Sequence, residues 1–187
     1  LGMDMRHLPI MIQGVGSVGS AIAKSYWEEG VRNLSISDTV QESLDLVTAQ
    51  RPGIIVVDPR HAHATGAEIF MPCAGGAILN KRTVADMHYR SHTYIICGCA
   101  NNQLATPDIG QMLHDLGIVW CPDYLVNAGG LIEVTAEMFG RDLEEMLVRM
   151  RTTFLSVLYE TGESNRPTSV VADDMVSERV AQMSLPQ

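Results

Sequence analysis

The chain is 187 residues long, 46% hydrophobic and 19% charged, the size of one domain or of one domain with an appended segment. Thirteen Lys plus Arg against twenty-two Asp plus Glu give a formal charge of −9. That surface repels phosphate backbones and anionic lipid, so neither nucleic acid nor a membrane is an expected partner. The longest apolar stretches, 54–57 and 94–97, fall far short of the ~20 residues of a spanning helix. No charged head leads into an apolar run and a small-residue cleavage site, and Cys73, Cys97, Cys99 and Cys121 sit in apolar company. A cytoplasmic protein with reduced thiols is expected. Leu1 stands where a translation product would carry Met, so the chain is expected to begin inside a longer or processed polypeptide.

Short β-branched or aliphatic runs alternate with amphipathic stretches, which predicts an α/β fold around a parallel sheet. The first strand, 8–13, has Pro9 near its start, where a missing amide is tolerated. Val18, Ala21, Ile22, Ser25 and Tyr26 then recur at helical spacing, and Gly30 marks the stop. A strand at 33–38 is followed by a helix over 41–50 that ends before Pro52. Further strands are predicted at 53–58, 68–71 and 92–98. A helix over 107–116 opens with proline near its first turn and closes at Gly117, before a last strand at 118–121. All six strands read as apolar on both faces, as strands covered by helices on each side. Asp142 with Glu145 makes a capping-box-like start. Behind it, Leu143, Met146, Leu147, Met150, Phe154, Val157 and Leu158 mark one apolar helix face. A final helix, 172–183, follows a break at 165–167.

The sharpest local signal is Gln13-Gly14-Val15-Gly16-Ser17-Val18-Gly19, directly between the first strand and the first helix. In a G-x-G-x-x-G turn the first glycine permits the tight reversal and the second lets backbone amides approach a pyrophosphate. The third lets helix and strand pack closely, and the helix N-terminus supplies positive potential. Asp38 follows Gly19 by nineteen residues at the end of the second strand, where a carboxylate accepts the adenosine ribose hydroxyls. No Arg or Lys lies between Asp38 and Arg51 to neutralise a 2′-phosphate, so NAD is the expected cofactor rather than NADP. A serine nucleophile is not supported, because Ser17 lacks the leading glycine of a nucleophile elbow. His61 with His63, Cys97 with Cys99, and His88 with His92 lack the paired spacing of a metal site; no metal is expected.

Three further segments lie behind strands four, five and six: Pro72-Cys73-Ala74-Gly75-Gly76-Ala77-Ile78-Leu79-Asn80, Gly98-Cys99-Ala100-Asn101-Asn102-Gln103-Leu104, and the run from Pro122 through Asn127 to Ile132. All fall where open α/β sheets bind ligands, outside the carboxyl ends of the strands. In this order, GVGSVG, Asp38, PCAGGAILN, GCANNQL and PDYLVNAGGLI, the chain resembles the C-terminal dinucleotide-binding domain of the Glu/Leu/Phe/Val amino-acid dehydrogenases, nearest the leucine and valine branch. The resemblance covers essentially the whole chain. It implies a Rossmann-type doubly wound, mostly parallel sheet over 1–141, with a C-terminal helical segment, 142–187, that packs on an N-terminal substrate domain.

The resemblance also implies NAD-dependent oxidative deamination of a small apolar L-amino acid to a 2-oxo acid and ammonia, in a homo-oligomeric parent. By motif, Gly14, Val15, Gly16, Ser17 and Val18 would hold pyrophosphate and Asp38 the ribose. Cys73, Ala74, Ala100 and Asn101 would line the nicotinamide, and Asn127 would lie near nicotinamide and substrate. The chain departs from the family pattern at Gly75, where leucine is usual, at Cys99 and Cys121, which replace small residues, and at Trp120, which replaces tyrosine. The family's catalytic lysine and acidic partner belong to the N-terminal domain. Lys24 and Lys81, the two lysines here, read as solvated surface residues. The rival readings are a non-catalytic NAD(H)-binding module and a dehydrogenase whose base is His88, His92 or His114.

Overall fold

The computed structural model describes residues 4–183. Six strands, β1 (Ile10–Gln13), β2 (Leu34–Ser37), β3 (Ile55–Val56), β4 (Ile69–Pro72), β5 (Ile95–Ile96) and β6 (Val119–Trp120), form one sheet in the order β3-β2-β1-β4-β5-β6. Every neighbouring pair is parallel. The chain builds outward from β1 in one direction and, after β3, crosses back to build outward from β4 in the other. The carboxyl ends of β1 and β4 therefore border the point where the order reverses, the crevice in which such sheets bind ligands.

Alternation along β1 divides the core. Ile10 and Ile12 join Leu34, Ile36 and residues of two helices, Ala23 of α1 (Ser17–Glu28) and Leu44 and Val47 of α2 (Gln41–Gln50). Met11 faces the other way, with Phe70, Ile96, Val84 of α3 (Lys81–Asp86) and Ile109 and Leu113 of α4 (Asp108–Asp115). Helices thus cover both faces, as the alternating pattern predicts. The prediction fails at the margin, where Ile55 and Val56 are exposed because β3 is the outermost strand. It also misplaces the inner stripe of α1. The buried residues are Gly19 and Ala23, with Ile22 and Tyr26 packed beside them, whereas Val18, Ala21 and Ser25 are solvent-facing or partly so.

The C-terminal third is helical from Asp123 onward: α5 (Asp123–Val126), α6 (Gly129–Phe139), α7 (Leu143–Ser164) and α8 (Thr168–Met183). The strand-end segment 122–132 is consequently two helix starts rather than an open loop, and α8 begins four residues before the predicted 172. Asp142 caps α7 by accepting a hydrogen bond from the Glu145 amide at 2.8 Å. Val157 of α7 meets Val171 and Ala172 of α8 in a small core of its own, flanked by Leu125 and Met175. Of the predicted α7 stripe only Val157 is fully buried.

Candidate functional site

β1 ends at Gln13 and α1 begins at Ser17, so the chain reverses over three residues. Gly14 has φ +97°, and a Cβ there would stand 2.6 Å from the Ala74 amide nitrogen. A Cβ on Gly19 would stand 1.9 Å from the Gly14 carbonyl oxygen. These two glycines are demanded by backbone conformation and by close helix–strand approach. Gly16 is different. Nothing lies within 4 Å of its would-be Cβ, and it caps α1 with no side-chain hydrogen bond. The first turn of α1 thus presents its partial positive charge without a side-chain acceptor.

Asp38 closes the turn from β2. One carboxylate oxygen accepts from the Val15 amide at 2.7 Å and the other from Val40 at 2.9 Å. A carboxylate offers about four acceptor positions, so two bonds leave capacity for a hydroxyl. From β4, the Cys73 amide donates to Gln13 at 2.7 Å, and Ala74 sits directly against Gly14. The turn, Asp38, Cys73 and Ala74 therefore form one contiguous rim.

The other predicted residues form a second group. Segments 73–79 and 99–105 are joined by amides of Ala77 and Leu79 donating to Asn102 and Gln103, at 2.7 and 2.9 Å. Asn127 Nδ2 donates to Asn101 Oδ1 at 2.6 Å, and the Cys99 carbonyl lies 3.5 Å away. Asn101, Asn102, Asp123, Tyr124, Asn127, Ala128 and Leu131 line a cavity of 390 Å³. Ala100 is buried, its amide donating to Pro72 and its carbonyl accepting from Gln103, so it offers a ligand apolar contact only.

Gln103 was not singled out by motif, yet it organises this group. Fully buried, it donates from Nε2 to the Gly98 and Ala100 carbonyls at 2.8 and 2.9 Å and accepts the Trp120 indole N–H at 3.0 Å. Its own amide donates to Asp123 at 3.2 Å. The Trp120 indole thus has a built-in acceptor. The signal available in the sequence was that a buried tryptophan requires one.

His88 and His92 precede β5 and His114 precedes β6, so all three lie toward the amino ends of their strands, away from the glycine turn. His88 stacks edge-on against Tyr89, and His114 contacts the Asn165 carbonyl at 3.1 Å. His63 pairs with Asp86 at 3.1 Å. Lys24 and Lys81, with side chains 58% and 78% exposed, face Glu28 and Asp108 at 3.9 and 3.7 Å.

The strand order and the glycine turn between β1 and α1 define a Rossmann-type α/β domain. The chain belongs to the Glutamate/Leucine/Phenylalanine/Valine dehydrogenase family, whose model matches residues 40–182. It is 33% identical to leucine dehydrogenase of Geobacillus stearothermophilus over 93% of its own length and 47% of that protein's. It is 32% identical to phenylalanine dehydrogenase of Bacillus thermotolerans, covering 94% of this chain and 46% of that one. Among solved structures, L-tryptophan dehydrogenase from Nostoc punctiforme superposes with a TM-score of 0.86 at 32% identity, covering 94% of this chain and 53% of that one. The chain therefore spans about half the length of the relatives it matches.

Proposed function

We propose that the chain is the C-terminal, dinucleotide-binding half of an NAD-dependent L-amino-acid dehydrogenase. The observation that carries this reading is the β1–α1 turn, whose forced glycines and Asp38 brace leave Gly16 and the first amides of α1 open to a phosphate. The bound dinucleotide supplies the acceptor for the hydride that leaves the substrate α-carbon. Gly14 and Val15 shape the turn, their own amides bonded to Ser37 and Asp38, so that Gly16, Ser17 and Val18 hold its pyrophosphate, and Asp38 accepts the adenosine ribose hydroxyls. Cys73, Ala74, Ala100 and Asn101 flank the nicotinamide. Asn127, already held by Asn101, orients the nicotinamide amide or the substrate amine.

The Asp38 carboxylate disfavours a 2′-phosphate, and Arg51, the next cationic residue, is buried. Relatives named for leucine, phenylalanine, valine and tryptophan widen the substrate class from small apolar residues to aliphatic or aromatic ones. The lysine-bearing substrate half, the helical segment from residue 142 packed on it (184–187 lie outside the described residues), a homo-oligomeric parent and a cytoplasmic location complete the proposal. Among the described residues no helix is long and apolar enough to cross a membrane. Fluorescence titration of the chain with NADH and NADPH tests the cofactor assignment. NADH is expected to bind about tenfold more tightly, a difference of ~1.4 kcal/mol. Equal affinities would overturn the role given to Asp38.

A further inference from the structure

We propose that Cys73 and Cys99 form an oxidant-sensitive dithiol, a modification site at the carboxyl ends of β4 and β5 that hydroperoxides close to a disulfide. All four cysteines are free and stand at this edge of the sheet. Cys97 and Cys121 are the next positions after the register pair Ile96–Trp120, and the Cys121 amide donates to Ile96 at 2.8 Å. Cys73 and Cys99 follow β4 and β5 where the backbones touch. The Ala100 amide donates to Pro72 at 2.9 Å, and a Cβ on Gly98 would stand 2.3 Å from the Pro72 carbonyl oxygen.

Adjacent strands lie ~4.8 Å apart, inside the Cα separation that a disulfide spans. Cys99 stands between Gly98 and Ala100, both of which touch Pro72, and Cys73 directly follows Pro72; Cys97 and Cys121 each stand one residue beyond the Ile96–Trp120 pair. The pairs differ in access: Cys121 is 4% exposed, whereas Cys73 and Cys99 both keep solvent-facing surface. The neighbouring Cys73 thiol lowers Cys99 to about 7 against the opposing effect of burial, and the neighbouring Cys99 thiol together with burial pushes Cys73 up. Cys99 is taken as the attacking sulfur and Cys73 as the resolving one; the disulfide that results is the same whichever sulfur attacks first. Among the described residues no three His, Cys, Asp or Glu side chains are grouped as metal ligands.

The chemistry balances with one hydrogen peroxide. The Cys99 thiolate attacks one peroxide oxygen; the S–O bond forms, the O–O bond breaks, and the departing hydroxide takes a proton to leave as water. The Cys73 sulfur then attacks the Cys99 sulfenic acid; the S–S bond forms, the S–O bond breaks, and the hydroxide leaves with the Cys73 proton as a second water. Two thiols lose two electrons and the peroxide gains them.

Trypsin places Cys73 in peptide 61–81 and the other three cysteines in peptide 91–141. A Cys73–Cys99 disulfide therefore joins two peptides, while Cys97–Cys121 stays within one. The full chain, treated with hydrogen peroxide, alkylated and digested, should yield the joined pair by mass spectrometry, reversed by dithiothreitol. The pair should persist in Cys97→Ala and vanish in Cys99→Ala. A joined pair in Cys99→Ala, or Cys99 sulfinic acid with no joined pair in the unmodified chain, would overturn the proposal. A measurement free of variants uses phenylarsine oxide, which bridges two neighbouring thiols. It should protect Cys73 and Cys99 together from alkylation, and protection of neither or of one alone would also refute the pairing.

Discussion

Three glycines within six residues answer to three different physical demands. Gly14→Ala places a Cβ 2.6 Å from the Ala74 amide at φ +97°, so strain and overlap act together. The expected loss is about 2–4 kcal/mol, seen in thermal melts as a fall of roughly 4–16 °C for a domain of this size. Gly16→Ala meets open space but puts a poorer N-cap on α1, and should cost no more than about 1 kcal/mol in stability. Its methyl group would stand where the backbone must approach a pyrophosphate, so NADH affinity should fall about tenfold with the fold intact. An unchanged NADH affinity would remove Gly16 from the binding surface. Asp38→Ala separates two roles. Loss of the acceptor for Val15 and Val40 should cost ~1–3 kcal/mol of stability, and loss of the charge should narrow the NADH over NADPH preference by ~1–2 kcal/mol. A melt that shifts while the preference holds would make Asp38 a brace for the turn and nothing more.

At the scale of elements, the six strands and the glycine turn were legible because each depends on residues next to one another. Ladder ends were not: β5 counts only Ile95–Ile96, although strand-like composition runs over 92–98. The start of α6 lies inside the 122–132 run, which reads as a strand-end ligand segment, because Gly129-Gly130 fill its first turn and carry no hydrophobic period. The inner face of α1 was misread because Gly19 belongs to it and carries no hydrophobic signal. Gln103 was illegible for a further reason. Its partners Trp120 and Asp123 lie 17 and 20 residues away, so its burial exists only once β5 and β6 are side by side. Gln103→Ala leaves the Trp120 indole N–H without its acceptor and the Gly98 carbonyl without its side-chain donor. A loss of about 2–3 kcal/mol in urea unfolding is expected, together with weaker NADH binding as the 99–105 segment loosens. Wild-type stability in that variant would show that the indole finds another partner.

The whole molecule carries apolar surface that its own fold does not cover. Leu131 and Met138 of α6 are each 72% exposed and Phe139 is 67% exposed, with Val148, Leu155 and Tyr159 of α7 also open to solvent. In the proposed parent the other half or a second subunit lies against these helices. The chain by itself should therefore self-associate or bind a hydrophobic dye, and a monodisperse monomer that binds none would contradict this assignment. The same division of labour predicts binding without turnover. Hydride transfer needs the substrate α-carbon held roughly 3–3.5 Å from the nicotinamide, and such positioning contributes ~7–11 kcal/mol. A general base must also be desolvated and within reach of the proton it takes. Both lysines are exposed and face carboxylates, and His88, His92 and His114 lie toward the amino ends of their strands. Asn127 can orient an amide or an amine but has no basic nitrogen with which to activate water. The chain should bind NADH yet reduce no NAD with leucine, valine, phenylalanine or tryptophan at alkaline pH, followed by NADH absorbance. Adding the substrate-binding half in trans should restore turnover where the interface reforms. Sustained activity of the 187 residues alone, abolished by replacing one of those three histidines, would move the catalytic base into this domain.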